Sequence, residues 1–432
     1  MPPAETVSAP SSGVPSSGVP SSGAPSNGAH PSHGGAEGAL RADLVALRRY
    51  LHQHPELGFD EHETAAHVRA WLRARGLEAS LPMAGTGFFV EIEGAHPGPT
   101  IGYRADMDAL PIQDEKDVRY RSRTPGVAHA CGHDAHTAIA CGVATLLYAR
   151  RDELHGNVRV FFQPNEERSP SGAPRMIAEG VLDGLEAVYA VHVDPQLPVG
   201  RVGLRAGALT AACSPFVVRV SSGASGHSAR PHETVDTVWV ASQVALQLYQ
   251  LVGRVTDARR SAVLTICRFR AGEALNVIPS EVEFGGTLRC TDNETIAELR
   301  DRIRQVTGAL GAAYDADVSV TYEDRLPAVV NTPGEIATVR EAVQALLGPE
   351  AAVPLDLPSM GGEDFAYYLE QIPGAMVRIG TAGGKQTRYP LHHARFDIDE
   401  AALPLAARLM TEVLVRHLRH HAAGVRQQSA GS

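Results

Sequence analysis

The chain has 432 residues, a formal net charge of −10, 44% hydrophobic residues and 20% charged residues. This is a globular composition on a chain too long for one ordinary core, so two domains are expected. An acidic balance with no recurring basic block excludes a nucleic-acid partner, and no apolar run is long enough to call for a membrane.

Residues 1–37 repeat Ser-Ser-Gly-Val-Pro and its variants. Such a segment buries too little apolar area to offset its chain entropy, so a disordered tail is expected. It has neither the basic start nor the apolar stretch of a secretory signal. Order is expected from Leu40, where Leu40, Leu44, Leu47 and Leu51 form one helical stripe. A second helix is predicted from Glu63 to Arg75, stopped by Gly76. Strands follow at Phe88 to Glu93 and Thr100 to Tyr103, a buried helix at Ala138 to Ala149, and strands at Asn157 to Phe162 and Ala187 to Val193. This alternation predicts an α/β layer with a largely parallel sheet.

The middle of the chain changes rhythm. Strand Phe216 to Val220, helix Val235 to Val252, strands Ala262 to Phe269 and Glu281 to Arg289, helix Thr295 to Leu310 and strand Val318 to Tyr322 follow in turn. That β-α-β-β-α-β order predicts a small ferredoxin-like sandwich. Afterwards α/β features resume: Thr332-Pro333-Gly334-Glu335 reads as a capping box, Gly348-Pro349 as a stop, and Glu400 to His417 as the last helix. The expected architecture is a discontinuous catalytic α/β domain over 38–206 and 325–422. It carries an inserted lid over 207–324, and a loose tail follows over 423–432.

Chemistry concentrates in His129-Ala130-Cys131-Gly132-His133-Asp134-Ala135-His136. In a loop entering the helix at Ala138, Cys131 and His133 face one point, and thiolate with imidazole suits a first-row divalent ion. The same segment fits a buried thiol beside a capping imidazole. Glu166-Glu167 follows the strand ended by Pro164. Adjacent side chains of an extended loop diverge, so one carboxylate could hold a metal while the other activates water. Alone, the pair also reads as a solvated acidic strand end. His192 closes strand Ala187 to Val193, at the carboxyl edge where α/β sheets gather their sites, or is a core histidine. His392 and His393 precede the last helix, and spacing does not choose between them. Asp106 and Asp108 could be ligands, partners orienting imidazoles, or turn caps pairing with Arg104.

In this order the segments resemble the aminoacylase/carboxypeptidase superfamily of dinuclear metallohydrolases. The likeness is nearest to the branch of hippurate hydrolases and indole-acetyl-amino-acid hydrolases. It is carried by Arg104 to Pro111, His129 to His136, Gln163 to Glu167, His192 to Pro195 and Pro198 to Leu204. Further matches are Gly226-His227 to His232, Asn276 to Pro279, Gly286 to Arg289, Gly361-Gly362-Glu363-Asp364-Phe365 and Leu391-His392. It spans roughly Leu40 to His417. The resemblance implies a zinc-peptidase-like catalytic domain with a ferredoxin-like lid that also dimerises. It implies two divalent ions per subunit (Mn, Zn, Co or Ni) held by Cys131, His133, Glu167, His192 and His392. Cys131 stands where other branches have a bridging Asp. Glu166 matches the general base, and His227 a histidine that binds the carbonyl oxygen, in some relatives across a dimer. Asp106 and Asp108 match partners that orient ligands, and Asn276 and Arg289 residues near the substrate carboxylate.

The implied activity is metal-dependent hydrolysis of N-acyl amino acids. Dipeptides, N-acetylated biosynthetic intermediates and ureido compounds are the alternative substrates, and a catalytically silent metal-binding dimer is the alternative from another class. Five cysteines, odd in number and scattered, read as free thiols of a reducing, cytoplasmic compartment. Departures from the family pattern at Asn165, Ser169 to Gly172, Ser221 to Ser225, Arg230 and Ala394 lie near the expected pocket. They bear on the substrate rather than on the reaction.

Overall fold

The computed structural model describes residues 33–430. In chain order the main elements are α1 (His33–Gln53), α2 (His62–Arg73), β1 (Phe88–Ile92), β2 (His96–Asp106), α3 (His133–Ala149), β3 (His155–Gln163), α4 (Gly172–Ala178), β4 (Leu185–Pro198) and β5 (Val202–Leu204). Then come β6 (Ala212–Ser221), α5 (Thr237–Val255), β7 (Ala262–Arg270), β8 (Glu281–Cys290), α6 (Asn293–Ala313) and β9 (Asp317–Tyr322). The chain closes with α7 (Pro333–Leu347), β10 (Ala352–Pro354), the single turn α8 (Ala366–Leu369), β11 (Gly374–Ala382) and α9 (Ala402–Ala430).

A seven-stranded sheet has the order β1-β3-β2-β4-β11-β5-β10. Its centre, from β3 through β2 and β4 to β11, is parallel, whereas β1 and β5 join it antiparallel. Alternation along the strands divides the side chains between two cores. Tyr189, Val191 and Val193 of β4 join Phe162 and Val377 under α1, α3, α7 and α9. Val188 and Ala190 face the other way, onto Phe161, Met176, Phe365 and Met376. Both faces of the sheet are covered, as a parallel centre requires.

The second sheet has the order β9-β6-β8-β7, and every neighbour is antiparallel. Helices α5 and α6 cover it, with Val240, Val244, Leu248, Ile296, Leu299 and Ile303 packed on Val218, Val220, Val282 and Phe284. This is the split β-α-β arrangement. It is inserted in the chain between β5 and β10, both strands of the large sheet.

Several boundaries differ from the sequence expectation. The expected tail over 1–37 lies outside the described residues as far as residue 32, while α1 already starts at His33. At the other end α9 runs on to Ala430, where a loose tail is expected from 423. No proline follows Pro404, in the first turn of α9, to stop the helix, and Ala, Arg and Gln are good helix formers. The capping box at Thr332 does not form. Its side chain makes no cap, and Thr332 Oγ1 instead accepts from Gly374 N at 3.2 Å, stitching α7 to β11. Helix α3 begins at His133 rather than Ala138. Gly132 at its N-cap has φ +93°, and a Cβ there would meet Val193 Cγ2 at 2.4 Å, so only glycine turns the chain this sharply into the helix.

Candidate metal centre

Strands β2 and β3 end at one level, whereas β4 runs on past it to Pro198, so His192 lies within its strand, paired with Arg378 of β11, rather than closing it. Asp106 pairs with Gln163 across β2–β3, and Arg104 with Ala190 across β2–β4, so His192 projects beyond the last paired residue of β2. Helix α3 starts beneath this edge, and its first turn contributes His133 and His136. The loop after β3 supplies Glu166 and Glu167. His392 reaches the same edge from the C-terminal segment, where its N–H donates to Ala130 O at 2.8 Å.

Five groups of donor atoms converge there, the atoms of each within 4.8 Å of one another. Three are Asp106, His133 and His136; His133, Glu166 and Glu167; and Glu166, Glu363 and Asp364. The other two are Cys131, His133 and His192, and Cys131, Glu167 and His392. Cys131 Sγ belongs to both. It lies 3.6 Å from His192 Nε2, and Glu167 Oε1 lies 3.3 Å from His392 Nε2 and 3.9 Å from His133 Nε2. His133 Nε2 and Glu167 Oε1 are buried without a hydrogen-bond partner. Unsatisfied buried polar atoms on converging soft and borderline donors are what a bound divalent cation resolves.

The surroundings fix each imidazole. His133 Nδ1–H donates to Asp108 O at 2.9 Å, with Asp108 Oδ1 at 3.2 Å, which turns Nε2 inward. His192 Nδ1–H donates to Val193 O at 2.8 Å, again leaving Nε2 for the cluster. His136 is different. Its Nδ1–H donates to Asp106 Oδ1 at 2.7 Å and its Nε2 accepts from Val193 N at 3.0 Å, so both nitrogens are used and neither faces a metal position. Asp108 Oδ2 also accepts from Glu167 N at 3.0 Å. One aspartate thus orients two donor residues.

Proton affinities follow from this packing. Burial and the nearby Glu167 carboxylate push the Cys131 thiol well above its ordinary range. Burial works against charge on His133, but Asp106 and Asp108 outweigh it and hold this imidazole well above the usual value. Burial, with Arg378 nearby, keeps His192 well below it. Glu166 is raised well above an ordinary carboxylate by burial and by Glu363, Glu167 and Asp364.

Asn165 explains one departure noted in the sequence. It has φ +50°, and its side-chain amide donates to Arg168 O at 3.0 Å and Pro170 O at 2.8 Å. Asparagine tolerates this left-handed backbone and ties down the loop bearing Glu166 and Glu167.

From the sequence Arg104 has only a pairing role and Gln163, Glu363 and Asp364 have none, yet together they form the buried support of the site. Arg104 Nη1 lies 2.6 Å from Asp106 Oδ2, its Nη2 2.7 Å from Asp364 Oδ1, and its Nε donates to Gln163 Oε1 at 2.9 Å. The signal was present in the charged pair Glu363-Asp364 between two glycines and an aromatic residue, but its partner lies 260 residues away.

The residues expected to meet substrate are not gathered with this cluster. His227 and Asn276 are exposed on the inserted sandwich and adjoin each other, His227 pairing with Val277 while Ser228 N donates to Asn276 O at 3.2 Å. Among the described residues no hydrogen bond or ion pair joins either to the donor cluster. Arg289 lies on β8, and its Nη1 donates to Met360 O at 2.7 Å, beside the Gly361–Asp364 turn.

The chain is similar to known proteins over most of its length. The chain is 39% identical to the N-acetylcysteine deacetylase of Bacillus subtilis, over 88% of this chain and 98% of the relative. It is 37% identical to the IAA-amino acid hydrolase ILR1-like 2 of Arabidopsis thaliana, over 88% and 86% respectively. Among solved structures, a dinuclear metal binding peptidase of the M20 family from Bacillus subtilis superposes with a TM-score of 0.79 at 36% identity, over 88% of this chain and 99% of that one. With residues 102–416 matched by the profile of Peptidase family M20/M25/M40, the chain belongs to that family.

Proposed function

We propose that this protein is a dinuclear metal-dependent amidohydrolase that cleaves N-acyl amino acids to a carboxylic acid and a free amino acid. The observation that carries this reading is the sharing of Cys131 by two donor groups, with Glu166 grouped beside them with His133 and Glu167. The matched relatives named for N-acetylcysteine and IAA-amino acid substrates support the substrate class.

In this reading Cys131, His133, Glu167, His192 and His392 hold two divalent ions, and a Cys/His/carboxylate set suits Mn²⁺, Zn²⁺, Co²⁺ or Ni²⁺. When bound, such ions supply Lewis acidity toward a water and toward the amide carbonyl. Glu166 takes a proton from the attacking water and returns it to the leaving amine nitrogen. His227 donates to the oxyanion, and Arg289 with Asn276 receives the substrate carboxylate.

The exposed position of His227 supports a homodimer through the lid, with the histidine acting on the other subunit's site. Trp239, Leu246 and Tyr249 stand exposed on α5, and β7 is an open edge of its sheet with mostly exposed residues. An apolar helix stripe beside an open edge is a ready surface for a second copy. Five free thiols support a reducing, cytoplasmic setting. No described helix is long and apolar enough to cross a membrane.

The test is metal analysis together with a screen of N-acetyl, N-benzoyl, indole-acetyl and long-chain acyl amino acids in Mn²⁺, Zn²⁺ or Co²⁺. Two ions per subunit and turnover of at least one class are expected. Bound metal without any turnover would replace this reading with a silent metal-binding protein.

A further inference from the structure

Beneath the donor cluster lies a second set of buried charged side chains that touches none of the donor atoms. Arg48 of α1 is fully buried, and its Nε lies 2.8 Å from Asp134 Oδ2 while its Nη2 lies 2.9 Å from Asp397 Oδ1. Asp134 immediately follows His133 in the first turn of α3. Asp397 ends the short segment that begins at His392. A parallel path joins the same two places. His52 Nδ1–H donates to Asp134 Oδ2 at 2.7 Å, and Lys116 Nζ donates to His52 Nε2 at 2.7 Å and to Phe396 O at 2.7 Å.

A desolvated guanidinium between carboxylates is a poor source of net stability, because its desolvation offsets much of the attraction. What a planar fork does supply is a fixed spacing between the groups it binds, here Asp134 on one side and Asp397 with Glu400, 3.4 Å from Nη1, on the other. The His392 segment needs such a constraint. His392 has φ +65°, a left-handed backbone unusual for a residue with a Cβ, and its side chain is half exposed. A residue in that region persists only where its surroundings over-determine it. Upstream, its own N–H is held by Ala130 O at 2.8 Å. Downstream, the anchor is Asp397 on Arg48 and Phe396 O on Lys116.

We propose that Arg48 is a positioning residue that sets the distance between the His392 segment and the Cys131–His133 segment. It thereby governs filling of the position formed by Cys131, Glu167 and His392. This rests on the dinuclear reading above. The position formed by Cys131, His133 and His192 draws its donors from one side of the bridge and depends on it less.

Arg48→Lys keeps the charge but cannot span the carboxylates on both sides, and Asp397→Asn removes the shorter ion pair at the end nearer His392, where Glu400 stays 3.4 Å from Arg48 Nη1. The purified full-length variants are titrated with Mn²⁺ and Zn²⁺ alone, with ions per subunit counted and folding followed by circular dichroism and thermal unfolding. Wild type is expected to take up two ions. Each variant is expected to keep one ion at wild-type affinity and to bind the second at least tenfold more weakly. Should Arg48→Lys not fold, Asp397→Asn carries the test. Folded variants that bind both ions as wild type does overturn the positioning role alone. So does equal weakening of both ions in step with a lowered melting temperature. A wild-type chain that takes up no metal overturns this role and the dinuclear reading together.

Discussion

Glu166 and Asp364 meet across the fold: the backbone N–H of Asp364 donates to Glu166 Oε1 at 3.3 Å. The residue expected to move the proton is thus held by main chain, while the Asp364 side chain is held by Arg104. A carboxylate fixed in this way keeps its aim when its charge changes.

Glu166→Gln tests that role. The amide keeps the shape and can still meet Asp364, but it cannot take a proton. Turnover should fall by about 10²–10⁴, with metal content and melting temperature unchanged. Steady-state kinetics beside metal analysis checks this, and activity near wild type would remove Glu166 from the mechanism.

Cys131 and His133 both hold protons more tightly than usual, and a metal must displace those protons. Because the affinities are raised, metal uptake should strengthen as pH rises. The gain is about tenfold per pH unit for each proton displaced. Competition titrations against a chelator between pH 6 and 8 read the slope, and a flat response would contradict the assignment. Cys131→Ala, which removes the shared donor, should lower uptake at both positions.

Arg104 is buried among Asp106, Glu363, Asp364 and Gln163. Arg104→Ala would leave these carboxylates buried without their cation. Breaking such a network costs about 3–5 kcal/mol, and urea unfolding of the metal-free protein should show a loss of this order. Little change would mean that water replaces the guanidinium.

His129 is buried with both ring nitrogens unpartnered, and burial lowers its pKa to about 3. The folded state therefore keeps it neutral while the unfolded chain takes up a proton below the ordinary value of about 6.5. Its contribution is complete above that pH and declines as pH falls toward 3. The slope from this group is at most about 1.4 kcal/mol per pH unit. Unfolding of chelated protein from pH 7 to 4 should show the decline, and His129→Phe should flatten it.

Leu246→Glu on the exposed face of α5 should shift a dimer toward monomer in sedimentation. If His227 acts across that dimer, activity should fall with dimer content and return at higher protein concentration. Full activity in a monomer would place His227 within its own subunit or outside the reaction.

What the sequence revealed depended on range. The inserted sandwich was legible because its strands and helices follow one another with clear periods. Cys131 and His133 stood out as a candidate pair because their donor types lie two residues apart, but spacing alone left a buried thiol equally open. Local readings failed where a distant partner decides the outcome. The capping box at Thr332 lost its hydroxyl to Gly374 in a neighbouring strand. The start of α3 moved because Gly132 turns against Val193. The charged support at Arg104, Asp364, Arg48 and Asp397 joins residues hundreds of positions apart, and no window along the chain contains both ends. Spacing left His392 and His393 open, and the structure brings His392 to the donor cluster while the His393 ring stacks on Tyr389.

The insertion of the lid sheet between β5 and β10 also sets an order of events. Cys131, His133, Glu167 and His192 all precede the insertion in the chain, whereas His392 follows it. A chain emerging from the ribosome carries four of the five proposed donors long before the fifth exists. The small sandwich, whose contacts are mostly local to itself, is complete before His392 is made. The centre therefore closes last, and a chain cut short after the lid holds one complete donor set and only part of the other.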